Sequence, residues 1–278
     1  MPFTLSHPAA VLPLIVRGRG RGPLVASALV AGSVAPDMPY FADSAVPGVF
    51  GFGAVTHAWW GVPTVDVLIA AVLAGLWHGL LRVPLLALLP ARWAGAPDAP
   101  APARSAGTAG AFAVSAALGA ATHVGWDAFT HHDRAGVRLL PVLDRTVIAG
   151  QPLYTVLQYG SSAVALCFLA RWLVRELRRR AAHPGPGTGP RTGPGPVQPL
   201  GRRARTAALG AVAAAAAAGT ALRIDRWSGL RAGASPYELI PTVAFGSLAG
   251  AGAALLGYAI VHRLTGGKGL ARRYGRAA

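Results

Sequence analysis

The feature that most limits what this chain can fold into is a series of long apolar runs almost free of charge. Four of them, about 63–81, 106–126, 153–173 and 239–261, are long enough or nearly so to cross roughly 30 Å of hydrocarbon as helices rising ~1.5 Å per residue. A fifth, 206–222, is Ala-rich and shorter. Two weaker runs, 3–16 and 24–36, flank the cluster RGRGR and carry Pro8, Pro13 and Pro36. Each reaches only about 20 Å as a helix, and the prolines argue against long straight ones. The expected fold is all-α, a polytopic membrane bundle of about five transmembrane helices plus two short N-terminal helices. Composition agrees, because 53% of the 278 residues are hydrophobic and only 13% charged, where a soluble domain carries about a quarter.

The net charge of +16 raises the question of nucleic acid, which needs a contiguous basic face. Here the arginines sit in short clusters between apolar runs, as loops flanking membrane helices do. The expected partner is therefore the lipid bilayer, with no nucleic acid. Cys167 is the only cysteine, so neither an intrachain disulfide nor a four-cysteine zinc site can form. No ordinary signal peptide is expected, since the first charges, Arg17, Arg19 and Arg21, follow the first apolar stretch.

Orientation follows from the arginines. If the loop 174–205 is cytoplasmic and the runs alternate, only Arg134, Arg138, Arg145, Arg223, Arg226 and Arg231 of the 26 basic residues fall outside. The opposite phase inverts that ratio. The positive-inside rule thus predicts a multi-pass protein of the bacterial cytoplasmic membrane with a cytoplasmic C-terminus. Residues 181–205, "AAHPGPGTGPRTGPGPVQPLGRRAR", offer almost nothing to bury and read as a flexible cytoplasmic linker. It separates a membrane domain, 1–180, from a C-terminal helix pair and basic tail, 206–278. The stretch "AGAPDAPAPARSAG" at 94–107 reads as a second loop on the same side.

This topology gathers the ionisable residues on the outer face. Asp37 ends the run 24–36, and His57 lies in "GAVTHAWWG". His123 and Asp127 end the run 106–126, with His131 and His132 just beyond, and His7 precedes the first run. His123 and Asp127 are four apart and share one helix face, which His131 extends. Imidazole and carboxylate at that spacing can hold one divalent ion, with zinc best suited to mixed nitrogen and oxygen donors. The structural alternative has His123 capping a helix and Asp127 meeting an arginine or water. Other residues take plainer readings. Asp66 sits at a helix start where its charge favours the dipole. Asp133 and Asp144 are expected to pair with Arg134, Arg138 or Arg145, and Asp43 to be solvated. Trp59 and Trp60 fit an interfacial aromatic belt.

The phrases "MPFTLSHPAAVLPL", "GSVAPDMPYF", "THAWWGVP" and "HVGWDAFTHH" resemble a family of uncharacterised bacterial membrane proteins that open with nearly this MPFTxSHPAA phrase. That resemblance covers about 1–180 and implies an inner-membrane location without an activity. The order His, Asp, His, HxxxD, His is more distantly similar to zinc-dependent phospholipase C and to related membrane-bound proteins classed as metal-dependent hydrolases. The similarity implies one zinc held by Asp37, His57, His123 and Asp127. It places His7, and His131 or His132, at an additional metal or site. The sequence departs from that pattern in lacking HxxxE and an N-terminal tryptophan, so one metal, or two at most, is implied.

Together these readings lead to a zinc-dependent hydrolase of phospholipid or envelope phosphoester or ester substrates, with Arg134 and Arg138 as candidate phosphate contacts. The competing class is a non-enzymatic membrane protein with a structural metal or polar cluster, or an ion- or proton-handling transporter. The latter should spread ionisable residues through the midplane in repeated halves, which this chain does not do.

Overall fold

The computed structural model describes residues 3–90, 93, 106–182, 197–228 and 236–265. Most of the Pro/Gly-rich stretch, the loop from 94 to 105 and the basic tail beyond 265 lie outside the described residues.

The first apolar run does not form one helix. Its prolines divide it into a 3-10 turn at Thr4–Ser6, a helical turn at Pro8–Val11 and a second 3-10 turn at Leu12–Leu14. A two-residue hairpin follows, Ile15–Val16 against Arg19–Gly20. Its turn residues, Arg17 and Gly18, both take positive φ, as a tight hairpin of this kind requires. The second run forms the helix Ala26–Val34, which ends in a 3-10 turn at Ala35–Asp37.

The described residues divide into two compact units. One comprises Met1–Asp43, Pro47–Ala74 and Pro102–Val174. Its centre is a contact between Ala26–Val34 and the 25-residue helix Ala106–Thr130. The two backbones touch. A Cβ placed on Gly32 would lie 2.1 Å from the Ala116 carbonyl oxygen, and one on Gly119 would lie 2.3 Å from that of Leu29. Only small residues allow this approach, as in membrane helix pairs. Ala28, Ala31, Ala70, Ala74 and Ala116 fill the surrounding core, and Ser115 Oγ accepts the Val25 amide at 2.9 Å. A second cluster joins Val11, Ile15 and Leu29 and is covered by Trp172.

The other unit contains the helices Arg202–Ser228 and Pro236–Leu264, which also meet through glycine. A Cβ on Gly250 would lie 2.0 Å from the Ala215 carbonyl oxygen. Leu200 and Ala204 pack on Ala87, and the Tyr258 hydroxyl donates to the Pro84 carbonyl at 3.0 Å.

Four helices are long and apolar enough to cross a membrane: Val65–Ala87, Leu153–Arg179, Arg202–Arg226 and Leu239–Leu264. Their apolar side chains face outward. Leu68, Val72, Phe168 and Leu222 are all more than 60% exposed, which water would penalise and lipid would not. The shorter run 206–222 is among them as Arg202–Arg226, whereas the run 106–126 forms the helix Ala106–Thr130, which is not. It carries Ser115, Thr122, His123, Asp127 and Thr130, and turns several of them inward. The molecule is an all-α helical bundle, and this more polar helix is the one that carries the site.

Candidate metal centre

Three segments deliver four buried side chains that could hold a metal ion. Asp37 closes the 3-10 turn after Ala26–Val34, where Pro36 fixes the backbone. His57 follows the short helix Gly53–Thr56. His123 and Asp127 are one turn apart on Ala106–Thr130. The exposures of these four run from 0% for Asp37 and His123 to 7% for His57. One donor atom from each lies within 4.8 Å of every other.

The spacing inside the cluster is wider than hydrogen bonding would make it. His57 Nε2 is 3.6 Å from Asp37 Oδ1 and 3.5 Å from Asp127 Oδ2. His123 Nε2 is 3.3 Å and 3.5 Å from the same two oxygens. A charge-assisted hydrogen bond would close to about 2.7–2.9 Å. A tetrahedral ion with bonds of about 2.0–2.1 Å instead holds its ligand atoms roughly 3.3–3.4 Å apart. The four histidine–carboxylate separations are close to that value. His123 Nε2 and Asp37 Oδ1 are buried without a hydrogen-bond partner, and burying polar atoms in this way is costly unless something pairs with them. A divalent cation fits both the spacing and the two negative charges.

The far sides of the ligands are tied down. His123 Nδ1 lies 2.8 Å from the Ser33 carbonyl and His57 Nδ1 2.9 Å from that of Gly53. A carbonyl only accepts, so each Nδ1 carries the proton, and in the neutral ring each Nε2 turns its lone pair to the cluster. Asp37 Oδ2 accepts from the Thr4 hydroxyl at 2.6 Å, leaving Oδ1 for the centre.

The two oxygens of Asp127 face different partners. Oδ2 faces His57 and His123, whereas Oδ1 lies 3.5 Å from His7 Nε2 and 3.7 Å from His131 Nδ1. His7 also stacks on His123 with ring centroids 3.6 Å apart. Burial pushes the His7 imidazole down to about 3 and that of His131 down to about 4. Burial thus disfavours the charged form of both rings. His132 does not join them. It is exposed, and its ring lies 6.2 Å from Tyr154.

The outer arginines separate. Arg138 is largely exposed and faces Asp133 at 3.5 Å, in a pair of little energetic weight. Arg134 lies within electrostatic and hydrogen-bonding reach of the Tyr40 side chain. Asp43 caps its own loop, accepting from the Gly48 and Phe50 amides.

Sequence reasoning did not anticipate Thr4, Tyr40 or the Ser33 and Gly53 carbonyls. It also read Asp66 too simply. Asp66 does lie in the first turn of its helix, yet it is fully buried, with neither carboxylate oxygen hydrogen-bonded. It lies within electrostatic reach of His123 and Asp37. An acidic residue at the head of an apolar run was the available signal.

Fold and site together define a class: a helical protein with membrane-length apolar helices, one unit of which encloses a two-aspartate, two-histidine cluster. Within that class the chain belongs to the DUF4184 family, a domain of unknown function, whose model matches residues 1–261. No curated protein and no solved structure matches it.

Proposed function

We propose that the chain is a divalent-metal-dependent hydrolase, zinc being the best-suited ion, acting on lipid or envelope phosphoesters or esters at the outer face of the cytoplasmic membrane. The observation that carries this reading is the buried, close spacing of Asp37 Oδ1, His57 Nε2, His123 Nε2 and Asp127 Oδ2. Zinc in such a site supplies Lewis acidity and a water whose pKa is lowered to about 7. The protein's part is to hold both imidazoles by their Nδ1 protons, to fix Asp37 through Thr4 and to exclude bulk water. His7 and His131, beside the second oxygen of Asp127, are the groups available to a further ion or to a proton of the reacting water. The outer location rests on the arginine asymmetry.

A second reading, a structural metal without turnover, has one observation in its favour. Four protein donors complete a tetrahedron, and catalytic sites keep a position open. For hydrolysis, the ion must therefore accept a fifth ligand or one protein donor must loosen.

One experiment separates these readings. Spheroplasts expressing the protein should hydrolyse a membrane-impermeant chromogenic phosphodiester or ester. A chelator should abolish the activity, zinc should restore it, and His123→Ala should lack it. Hydrolysis only by inverted vesicles would overturn the orientation and leave the hydrolase standing. Metal-loaded protein inactive in both preparations would favour the structural reading.

A further inference from the structure

Tyr40 occupies a place prepared for it. Its ring lies 4.6 Å from that of Phe50 and 5.7 Å from that of His57, measured between centroids. A Cβ on Gly53 would come within 2.4 Å of the Tyr40 hydroxyl oxygen, so glycine is required beneath it. The residue is 8% exposed, and its phenol lies within electrostatic reach of Asp37 and Asp127. A phenol is a neutral hydrogen-bond donor at physiological pH. The cation within reach of it is Arg134, half-buried, from the turn that follows His131. Asp133 takes positive φ in that turn and faces Arg138. No ion pair to Arg134 occurs among the described residues.

Charge decides what such a pair can recognise. A divalent ion on Asp37 and Asp127 makes a site of zero net charge. A neutral ester entering it leaves that balance unchanged. A phosphoryl group adds one or two negative charges in a poorly solvated place and needs a further cation, and guanidinium is the side chain best shaped to meet two of its oxygens.

We infer that Arg134 and Tyr40 form an anion-recognition pair at the metal centre, which selects phosphate-bearing substrates over neutral esters. This rests on the metal-centre reading above and narrows its substrate class. Arg134 supplies the charge and a two-pronged donor. Tyr40 supplies a hydroxyl donor and holds the guanidinium toward the cluster. Arg138, already facing Asp133, takes no part.

The test uses purified full-length protein loaded with zinc and titrated with inorganic phosphate, with acetate for comparison. Wild type should bind phosphate in preference to acetate. Arg134→Gln should weaken phosphate about tenfold or more while keeping its zinc, since a charge-assisted contact is lost. Tyr40→Phe should weaken it by less, Arg134→Lys should fall between, and Arg138→Gln should match wild type. Retained zinc in each variant shows that the fold is intact. Displacement of phosphate by phosphatidylglycerol in mixed micelles, set against glycerol 3-phosphate, tells a lipid headgroup from a soluble ester. Either order supports the pair and assigns the source. Zinc-loaded protein that binds no phosphate, or Arg134→Gln with wild-type affinity, overturns the pair and leaves the metal centre intact. A protein that binds no zinc overturns both.

Discussion

Thr4 lies in an opening phrase that looks like an apolar leader to a helix, and its hydroxyl ends 2.6 Å from Asp37 Oδ2. That contact fixes which oxygen of Asp37 faces His57 and His123, the role that outer contacts around metal ligands commonly play. Thr4→Val keeps the shape and deletes the donor, leaving one buried carboxylate oxygen unpaired. Zinc affinity should fall roughly tenfold, read by competition with a chromogenic chelator; an unchanged affinity would show that Asp37 needs no anchor. The HxxxD pair was legible in the sequence because helical spacing alone places His123 and Asp127 on one face. The carbonyls of Ser33 and Gly53 were not, since a backbone acceptor carries no residue identity. Asp66 was half legible. Its place in the first turn follows from spacing, but its complete burial depends on the alanine-rich helices packed around it.

Among the helices, the contact between Ala26–Val34 and Ala106–Thr130 couples packing to the site. Gly32 touches the backbone at Ala116, and the next residue, Ser33, supplies the carbonyl that orients His123. Gly32→Ala must push the helices apart where they touch and move that carbonyl away from the imidazole. We expect a lower melting temperature by circular dichroism in detergent, together with a drop in zinc affinity of about tenfold or more. Gly252→Ala is the control, because its Cβ would meet nothing within 4 Å. A Gly32→Ala protein that melts lower yet binds zinc normally would disconnect the helix contact from the site. Hydropathy located the long helices well. It ranked 106–126 with them, because runs of Ala and Gly count as apolar whether they face lipid or a neighbouring helix. It also joined residues 3–16 into one element, although Pro8 and Pro13 were the signal that they break into turns.

At the scale of the whole molecule, the outward-facing apolar helices and the enclosed polar cluster belong to one design. Lipid can solvate Leu68, Val72 and Phe168, but it cannot compensate two buried carboxylates. Without an ion, only a protonated His123, whose imidazole Asp37 and Asp127 hold up at about 10, offsets the two buried carboxylates. With one, the charges cancel and the unpaired ligand atoms gain partners. All the proposed ligands come from the same compact unit, so the account requires nothing from the helices Arg202–Ser228 and Pro236–Leu264. The most direct measurement is the metal content of the full-length protein, purified in mild detergent without chelators and analysed by plasma mass spectrometry. The account predicts about one zinc per chain at the four-ligand site, most of it lost in His123→Ala and Asp127→Asn and retained in Asp66→Asn and Asp144→Ala. Metal-free wild-type protein, or metal kept by both ligand variants, would contradict it.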